Sequence, residues 1–346
     1  MKQPSRPVLS VAMSAVFWLV LAYVAWRLLD WSVLKAVFRP DEAACHALER
    51  SGACWGVIAE KIRPLLFGRY VHDEQWRPLL AMLLMLLGAA ALLWRPWALS
   101  LPWLAGGSAL LTVAVGVLMH GGWAGLVVVP SDQWGGLPLT LIIAGLTMAL
   151  SLPLGIALAL GRQSRWAWLR ILCTVFIEVT RGVPLVMVLF MAAFMLPALI
   201  PDRFQVSLLW RVMGALTLFS AAYLAEIVRG GLQTVGSDQF DAAKVMGLSN
   251  WQTQRLVILP QALRAVLPAL VSHAIGLLKD TSLVMVVSLH ELTGALSLSL
   301  GGDPQWRPYY LEGYLFVAAI YAAMCLSLSR AGRRVEQHWV ATGGQQ

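Results

Sequence analysis

Residues 226–261 read EIVRGGLQTVGSDQFDAAKVMGLSNWQTQRLVILPQ, a polar stretch set between two apolar runs, and it carries its own punctuation. Ser237 precedes DQFDAAKVM, a helix-prone run that a serine caps by accepting a hydrogen bond from the first turn. Gly247 follows, suited to a left-handed C′ position, with Leu248 placed for the apolar contact that accompanies such a cap. Ser249 and Gln252 then make an S-x-x-Q capping box that opens a second helix. Pro260 is expected to end or kink that helix, because it has no N–H and its ring crowds the preceding turn. The stretch reads as helix, glycine corner, helix. A passive connection does not need so much local structure.

The rest of the chain says where this element sits. Of 346 residues, 59% are hydrophobic and only 13% charged, with a mean hydropathy of +0.70. Soluble domains carry about 25% charged residues, so lipid is the solvent for most of this chain. The net charge of +8 comes from 26 Lys and Arg against 18 Asp and Glu. No basic patch with interleaved aromatics accompanies it, which argues for basic span ends and against nucleic acid as a partner.

A hydrocarbon core about 30 Å thick takes about 20 apolar residues per helix, and about eight stretches qualify. They are Leu9–Ala25, Leu79–Trp94, Leu101–Met119, Leu137–Leu160, Ile171–Leu196, Leu208–Val228, Leu267–Leu289 and Tyr314–Leu328. The expected fold class is therefore an all-α integral membrane protein with about eight transmembrane helices. The first stretch follows MKQPSRPV without an A-x-A site and is long for a signal segment, so it is read as a retained span. Lys2 and Arg6, the run GRQSRWAWLR, and Arg330, Arg333 and Arg334 all fall on one side, which places both termini in the cytoplasm. The segment from Arg27 to Arg77 lies outside in this arrangement. Its basic residues are nearly balanced by acidic ones, and long loops follow the charge rule poorly.

Three regions result: 1–130, an extension of three spans with a polar periplasmic insertion at about 27–77; 131–336, a five-helix core with the polar element at about 230–265; and a cytoplasmic tail, 337–346. Cys173 and Cys325 lie in apolar runs and are expected to be buried. Cys45 and Cys54 flank HALERSGA, where they are either a disulfide on an oxidising face or a pair of free thiols.

By this topology the 237–260 element is cytoplasmic. It is either an amphipathic helix pair lying on the membrane surface or a docking knuckle for a soluble partner. At this point the sequence resembles a known family. DAAKVMGLSNWQTQRLVILP is similar to the EAA loop of ABC-transporter permeases, in which Glu-Ala-Ala is followed by a glycine and then by I-x-L-P. The matching positions are Asp241, Ala242, Ala243, Gly247, Val257, Leu259 and Pro260, with Asp in place of Glu and Val in place of Ile. The segments GGLPLTLIIAGLTMALSLPLGIALALGR, FIEVTRGVPL, AAYLAEIVRGG and LLKDTSL look like successive spans of polar amino-acid uptake permeases of the histidine/glutamine type. GACW and DEQWRPLL look more narrowly like the second permease subunit of general L-amino-acid transporters.

The resemblance implies the membrane-spanning subunit of an ATP-driven importer of L-amino acids in a bacterial inner membrane. It implies partners as well: a homologous permease subunit in a heterodimer, two copies of an ABC ATPase, a periplasmic amino-acid-binding protein, and membrane lipid. Asp241, Ala242, Ala243, Gly247, Leu259 and Pro260 would then couple to the ATPase. The chain has no G-x-x-x-x-G-K-[ST] phosphate loop. ATP and magnesium are therefore expected on the separate ATPase, with no cofactor and no metal in this chain. No nucleophile–base arrangement occurs either, so the expected role is a transport subunit rather than an enzyme.

Charged residues inside the spans suggest a substrate pathway. Arg181 lies about 16 Å along a straight helix from Arg170, and Lys279 and Asp280 about 18 Å from Leu267. Charges at such depth cost at least about 2.5–3.5 kcal/mol each and usually line a polar route. Glu178, Arg181, Lys279, Asp280 and Thr281 are the candidates. A zwitterionic amino acid needs a cation for its carboxylate and an anion for its ammonium. The alternative is that Glu178 and Arg181 neutralise each other as an i, i+3 pair. Glu226 and Arg229 are read as a local pair positioning the polar element. His120, His273 and His290 have no partners at metal-ligand spacing. The rival function is an ion-gradient-driven secondary carrier, which also wants midplane charges but has no use for the 237–260 pattern. A membrane scaffold without transport is the third reading.

Overall fold

The computed structural model describes the backbone of residues 6–48, 51–94, 101–123, 125–201 and 206–343, and the side chains of 10–48, 51–91, 106–123, 125–201 and 206–337. Lys2 and the end of the tail, 344–346, lie outside the described residues. The fold is all-α. Two isolated bridges are the only β pairing among the described residues.

Two compact units are distinguished. The first runs to Arg63 and takes in Ser299–Val317; the second holds Pro64–Leu298 and the residues from Ala318 onward. The compact units thus divide at a different place from the 130/131 boundary drawn on the sequence. In the first unit, α1 (Arg6–Leu29) is apolar, and its described side chains from Ser10 onward are exposed. After it come α2 (Glu42–Ala47) and α3 (Gly56–Phe67), the latter ending just beyond the unit. Cys45 and Cys54 form a disulfide. The chain around them is tied by hydrogen bonds from Val37 N–H to the Ala53 carbonyl at 2.9 Å and from Ala53 N–H to Trp31 at 2.8 Å. Cys54 N–H donates to the buried Glu312 carboxylate at 3.0 Å, and Lys61 meets Asp303 at 2.6 Å.

The second unit contains α4 (Trp76–Trp94), α5 (Leu101–His120), α6 (Gly136–Arg162) and α7 (Ala167–Gly182). Next come α8 (Leu185–Phe190), a wide π-turn at Met191–Met195, and α9 (Leu196–Leu199). The series continues with α10 (Leu208–Thr234), α11 (Ser237–Val245), α12 (Asn250–Gln252), a π-helical stretch at Thr253–Ile258, and α13 (Leu259–Ala265). It closes with α14 (Leu267–Asp280), a 3₁₀ turn at Thr281–Val287, and most of α15 (Leu292–Gly301) and of α16 (Tyr310–Gly343).

Five described helices are long and apolar enough to cross a membrane, six if the bent pair 167–182 and 185–199 counts as one. The stretches read at 79–94 and 101–119 fall on α4, of 19 residues, and α5, of 20 residues. The stretch Ile171–Leu196 is not one straight span. It bends by 106° between α7 and α8, where Val183 is extended because a residue before proline is pushed out of the helical region.

Polar atoms within these apolar surroundings are capped locally. Buried Arg77 donates to the carbonyls of Leu118 at 2.7 Å and Val127 at 2.8 Å. Tyr70 OH donates to Met119 at 2.9 Å. Together they satisfy the free carbonyls at the end of α5, and burial pushes the Tyr70 phenol up to about 12. Arg211 does the same for the π-turn, donating to Ala192 at 3.2 Å and Ala193 at 2.8 Å. Cys173 is buried and Cys325 half-buried, both as free thiols.

The α6–α10 pair forms the centre of this unit. Gly155 of α6 lies where a Cβ would come 2.7 Å from the Leu224 Cβ and 3.0 Å from the Ala221 carbonyl. Small residues let membrane helices approach this closely, since apolar side chains gain nothing by leaving lipid. Gly155→Val should destabilise the protein by about 1–3 kcal/mol through overpacking, read as a lower thermal midpoint in detergent. Gly145→Val, at a position with nothing within 4 Å, is the control that should leave the midpoint unchanged.

Candidate functional site

The 237–260 element has the corner read from its sequence. Gly247 takes φ +77°, and Gly247 N–H donates to the Lys244 carbonyl at 2.9 Å while Leu248 N–H donates to Ala243 at 3.1 Å. That is the paired bonding of a Schellman cap. The Ser249–Gln252 capping box is complete, with Gln252 N–H on the Ser249 hydroxyl at 3.3 Å and Ser249 N–H on the Gln252 side chain at 2.9 Å.

Two details differ from expectation. The residue capping α11 is Gly236, without a side-chain bond, and Ser237 is the first helical residue. Pro260 does not end the second helix: it sits in the first turn of α13, which runs on to Ala265. The π-helical Thr253–Ile258 just before it loosens the bonding ladder, which accommodates a residue without an N–H. The chain turns instead at Val266, ahead of Pro268.

One side of this element is rooted and the other is bare. Ile258 and Ala262 are fully buried against Ala159 of α6, Ile177 of α7, and Val228 and Leu232 of α10. Gly231 of α10 sits so close that a Cβ there would come 2.5 Å from the Ala262 carbonyl. Within the motif, Ala243 is buried at 4% exposure, whereas Val245 is 88%, Met246 80%, Trp251 64% and Leu256 61% exposed. Asp241 and Ala242 are exposed too. Leu259 and Pro260 are half-buried at the root.

Beside that root lies a charge cluster. Glu226 accepts from Arg162 at 2.5 Å and from Arg229 at 2.8–3.2 Å, and Arg181 approaches it at 3.6 Å. Arg162 also meets Glu178 at 3.0 Å. Glu178 and Arg181 therefore do not neutralise each other. Both face charges on neighbouring helices: Glu178 meets Arg162, the last residue of α6, and Arg181 approaches Glu226 of α10. Arg162 itself was counted only among the basic residues that set topology, because nothing local announces partners 16 and 64 positions away.

The Arg181 guanidinium also stacks over the Tyr223 ring at 5.7 Å. Tyr223 lines an open cavity of about 730 Å³ with Ser220, Ser272, His273 and Asp280, the rest of the wall being largely apolar. Ser220 links His273 at 2.8 Å to Ser151 of α6 at 3.1 Å. Asp280 is thus in the cavity wall, but its two neighbours are not. Lys279 is exposed and makes no salt bridge with Asp280, and Thr281 is fully buried, bonded to the Leu278 carbonyl and Tyr321. Successive residues on a helix point in different directions, so only one of three enters. Ser220 and His273 were not singled out from the sequence, since one hydroxyl and one imidazole among apolar residues carry no spacing signal.

Residues 151–340 match the family described as binding-protein-dependent transport system inner membrane component. The chain is 42% identical over 313 residues to the inner membrane amino-acid ABC transporter permease protein YhdY of Escherichia coli K12, covering 90% of this chain and 84% of that protein. It is 34% identical over 389 aligned positions to the glutamate/glutamine/aspartate/asparagine transport system permease protein BztC of Rhodobacter capsulatus, covering 93% and 88%. A solved amino acid ABC transporter with histidines shares 30% identity and a TM-score of 0.52 over 59% of this chain and 92% of that one. With a rooted EAA-like element on a bundle of apolar helices, and with relatives that are transport permeases rather than enzymes, the chain belongs to the binding-protein-dependent inner membrane component family and is an amino-acid ABC transporter permease.

Proposed function

We propose that this chain imports L-amino acids as one of two permease subunits, driven by ATP hydrolysis on a separate ATPase that docks on residues 237–260. The observation that carries the reading is the two-sidedness of that element. Its apolar root is locked to α6, α7 and α10, while Val245, Met246, Trp251 and Leu256 stand bare. Exposed apolar residues on a rigid, polar-flanked corner suit a protein partner. A push on that surface would be transmitted into α10 through Gly231 and Ala262, where the backbones nearly touch. Asp241, Ala242, Ala243 and Gly247 would shape the docking corner; Leu259 and Pro260 would join it to the bundle.

The remaining assembly follows the resemblance: a homologous second permease, two ATPase copies carrying ATP and magnesium, and a periplasmic amino-acid-binding protein. The chain would sit in the inner membrane as a multi-pass protein with both termini in the cytoplasm. The permease core is proposed at 131–336, after the three-span extension. Substrate would pass along the Asp280 cavity. Asp280 offers the anion for an ammonium group, and Arg181, behind Tyr223, offers the nearby cation for a carboxylate. Glu178 would act through Arg162, and Lys279 and Thr281 from outside the cavity wall. The Cys45–Cys54 clasp would stiffen the periplasmic insertion.

Two outcomes test this. Gly247→Val places a β-branched residue at φ +77°, a strain of about 1–2 kcal/mol or more. It should cut co-purification with the ATPase, or ATP-coupled uptake, by about tenfold while membrane insertion measured by fractionation survives. Asp280→Asn should lower uptake by about tenfold or more, the scale of a lost charge-assisted hydrogen bond of roughly 1.5–3 kcal/mol. Uptake would be measured in proteoliposomes at equal protein level. Uptake that persists without the ATPase but collapses with the ion gradient would instead identify a secondary carrier.

A further inference from the structure

Glu291 has no part in the coupling element or the cavity wall, yet it is fully buried. Among the described residues no lysine or arginine forms a salt bridge with it. Each carboxylate oxygen instead takes two neutral donors: Thr293 N–H at 2.9 Å and Gly294 N–H at 3.0 Å on Oε1, Tyr321 OH at 2.7 Å and the Thr140 hydroxyl at 3.2 Å on Oε2. Burial holds the carboxyl above its usual range despite these bonds. An unpaired buried carboxylate is costly, so a site that keeps one must make it hold something.

What it holds comes from three helices. Glu291 caps α15 through the Thr293 and Gly294 amides, as an N-cap side chain does. Thr140 lies at the start of α6 and also accepts from Leu292 N–H at 3.0 Å, while Gly136 N–H donates to the His290 carbonyl at 2.9 Å. Tyr321 belongs to α16, and its hydroxyl lies 3.3 Å from Thr281, the residue after Asp280. The other end of α6 is gripped by Glu226 through Arg162 at 2.5 Å. These grips, at Thr140 and Arg162, are 22 residues apart on α6, about 33 Å at 1.5 Å per residue. Ser151, bonded to the cavity residue Ser220, lies between them on the same helix.

We propose that Glu291 is a positioning residue for transport. Its bonds to Tyr321 and Thr140 hold the start of α6, α16 and the turn after Asp280 as one block, the fixed end against which displacement entering at the coupling element reshapes the cavity. A two-ended lever needs one end that does not slip. If the Glu291 end yields, the same push is absorbed there and the cavity moves less.

The inference rests on the transport reading above, and the test separates the two. The full complex, with its partner permease, ATPase and binding protein, is reconstituted in proteoliposomes. Uptake of a mixture of radiolabelled L-amino acids and phosphate release are measured in the same samples. Tyr321→Phe removes one hydroxyl and keeps the ring. Glu291→Gln keeps the shape and one acceptor for the α15 amides but presents a donor to Tyr321.

Amino acid carried per ATP hydrolysed should fall at least about threefold in each variant, within the span of measured long-range couplings. The double variant should be no worse than the weaker single, as for residues of one network. Assembled complex and ATPase rate should stay near wild type. A wild-type ratio in Tyr321→Phe overturns the proposal. So does loss of assembled complex with an unchanged ratio in what remains, which would make the network structural only. A wild-type complex without ATP-dependent uptake would overturn the transport reading, and this inference with it.

Discussion

One carboxylate, Glu226, is within ion-pair reach of three guanidiniums from three helices: Arg162 of α6, Arg181 of α7 and Arg229 of its own α10. In apolar surroundings no charge can be left unpaired cheaply, and an arginine fork meeting a carboxylate has a strict geometry. The grip therefore fixes the ends of these helices in relation to one another. It does so although the chain breaks at Pro184, immediately after α7, and would otherwise let α7 swing.

The apolar root of the coupling element lies on the same helices, with Ile258 and Ala262 against Ala159, Ile177, Val228 and Leu232. Electrostatic grip and apolar root thus reinforce one mechanical junction. Glycine at 155 and 231 lets backbones touch there, and close contact transmits displacement better than long side chains that can change rotamer. The same approach of α6 to α10 brings Ser151, Ser220 and His273 into hydrogen-bond range and leaves the Asp280 cavity beside them.

The legible parts of the sequence were the short-range ones. Gly247, Leu248, Ser249 and Gln252 act on atoms within five positions of themselves, so their roles could be read directly. The same reading missed by one residue at Ser237, where Gly236 provides the extended entry. It left open whether Pro260 ends or kinks its helix, because a preceding π-helical stretch cannot be seen in composition. Apolar length marked Ile171–Leu196 as one span, but hydropathy is blind to direction and does not show the 106° bend after Gly182. Glu291 and Tyr321 sit 30 positions apart, with no spacing pattern to connect them.

From the sequence alone came the solvent of the chain, the helical class, the permease resemblance and the glycine corner. Transfer from water to lipid and the capping of helix ends are sums over near neighbours, and a list of residues contains them. Only the tertiary structure decided which charges meet, which of Lys279, Asp280 and Thr281 enters the cavity, and which face of the coupling element is bare. These depend on how closely helices distant in sequence, such as α6 and α10, approach one another, distances that chain order does not encode.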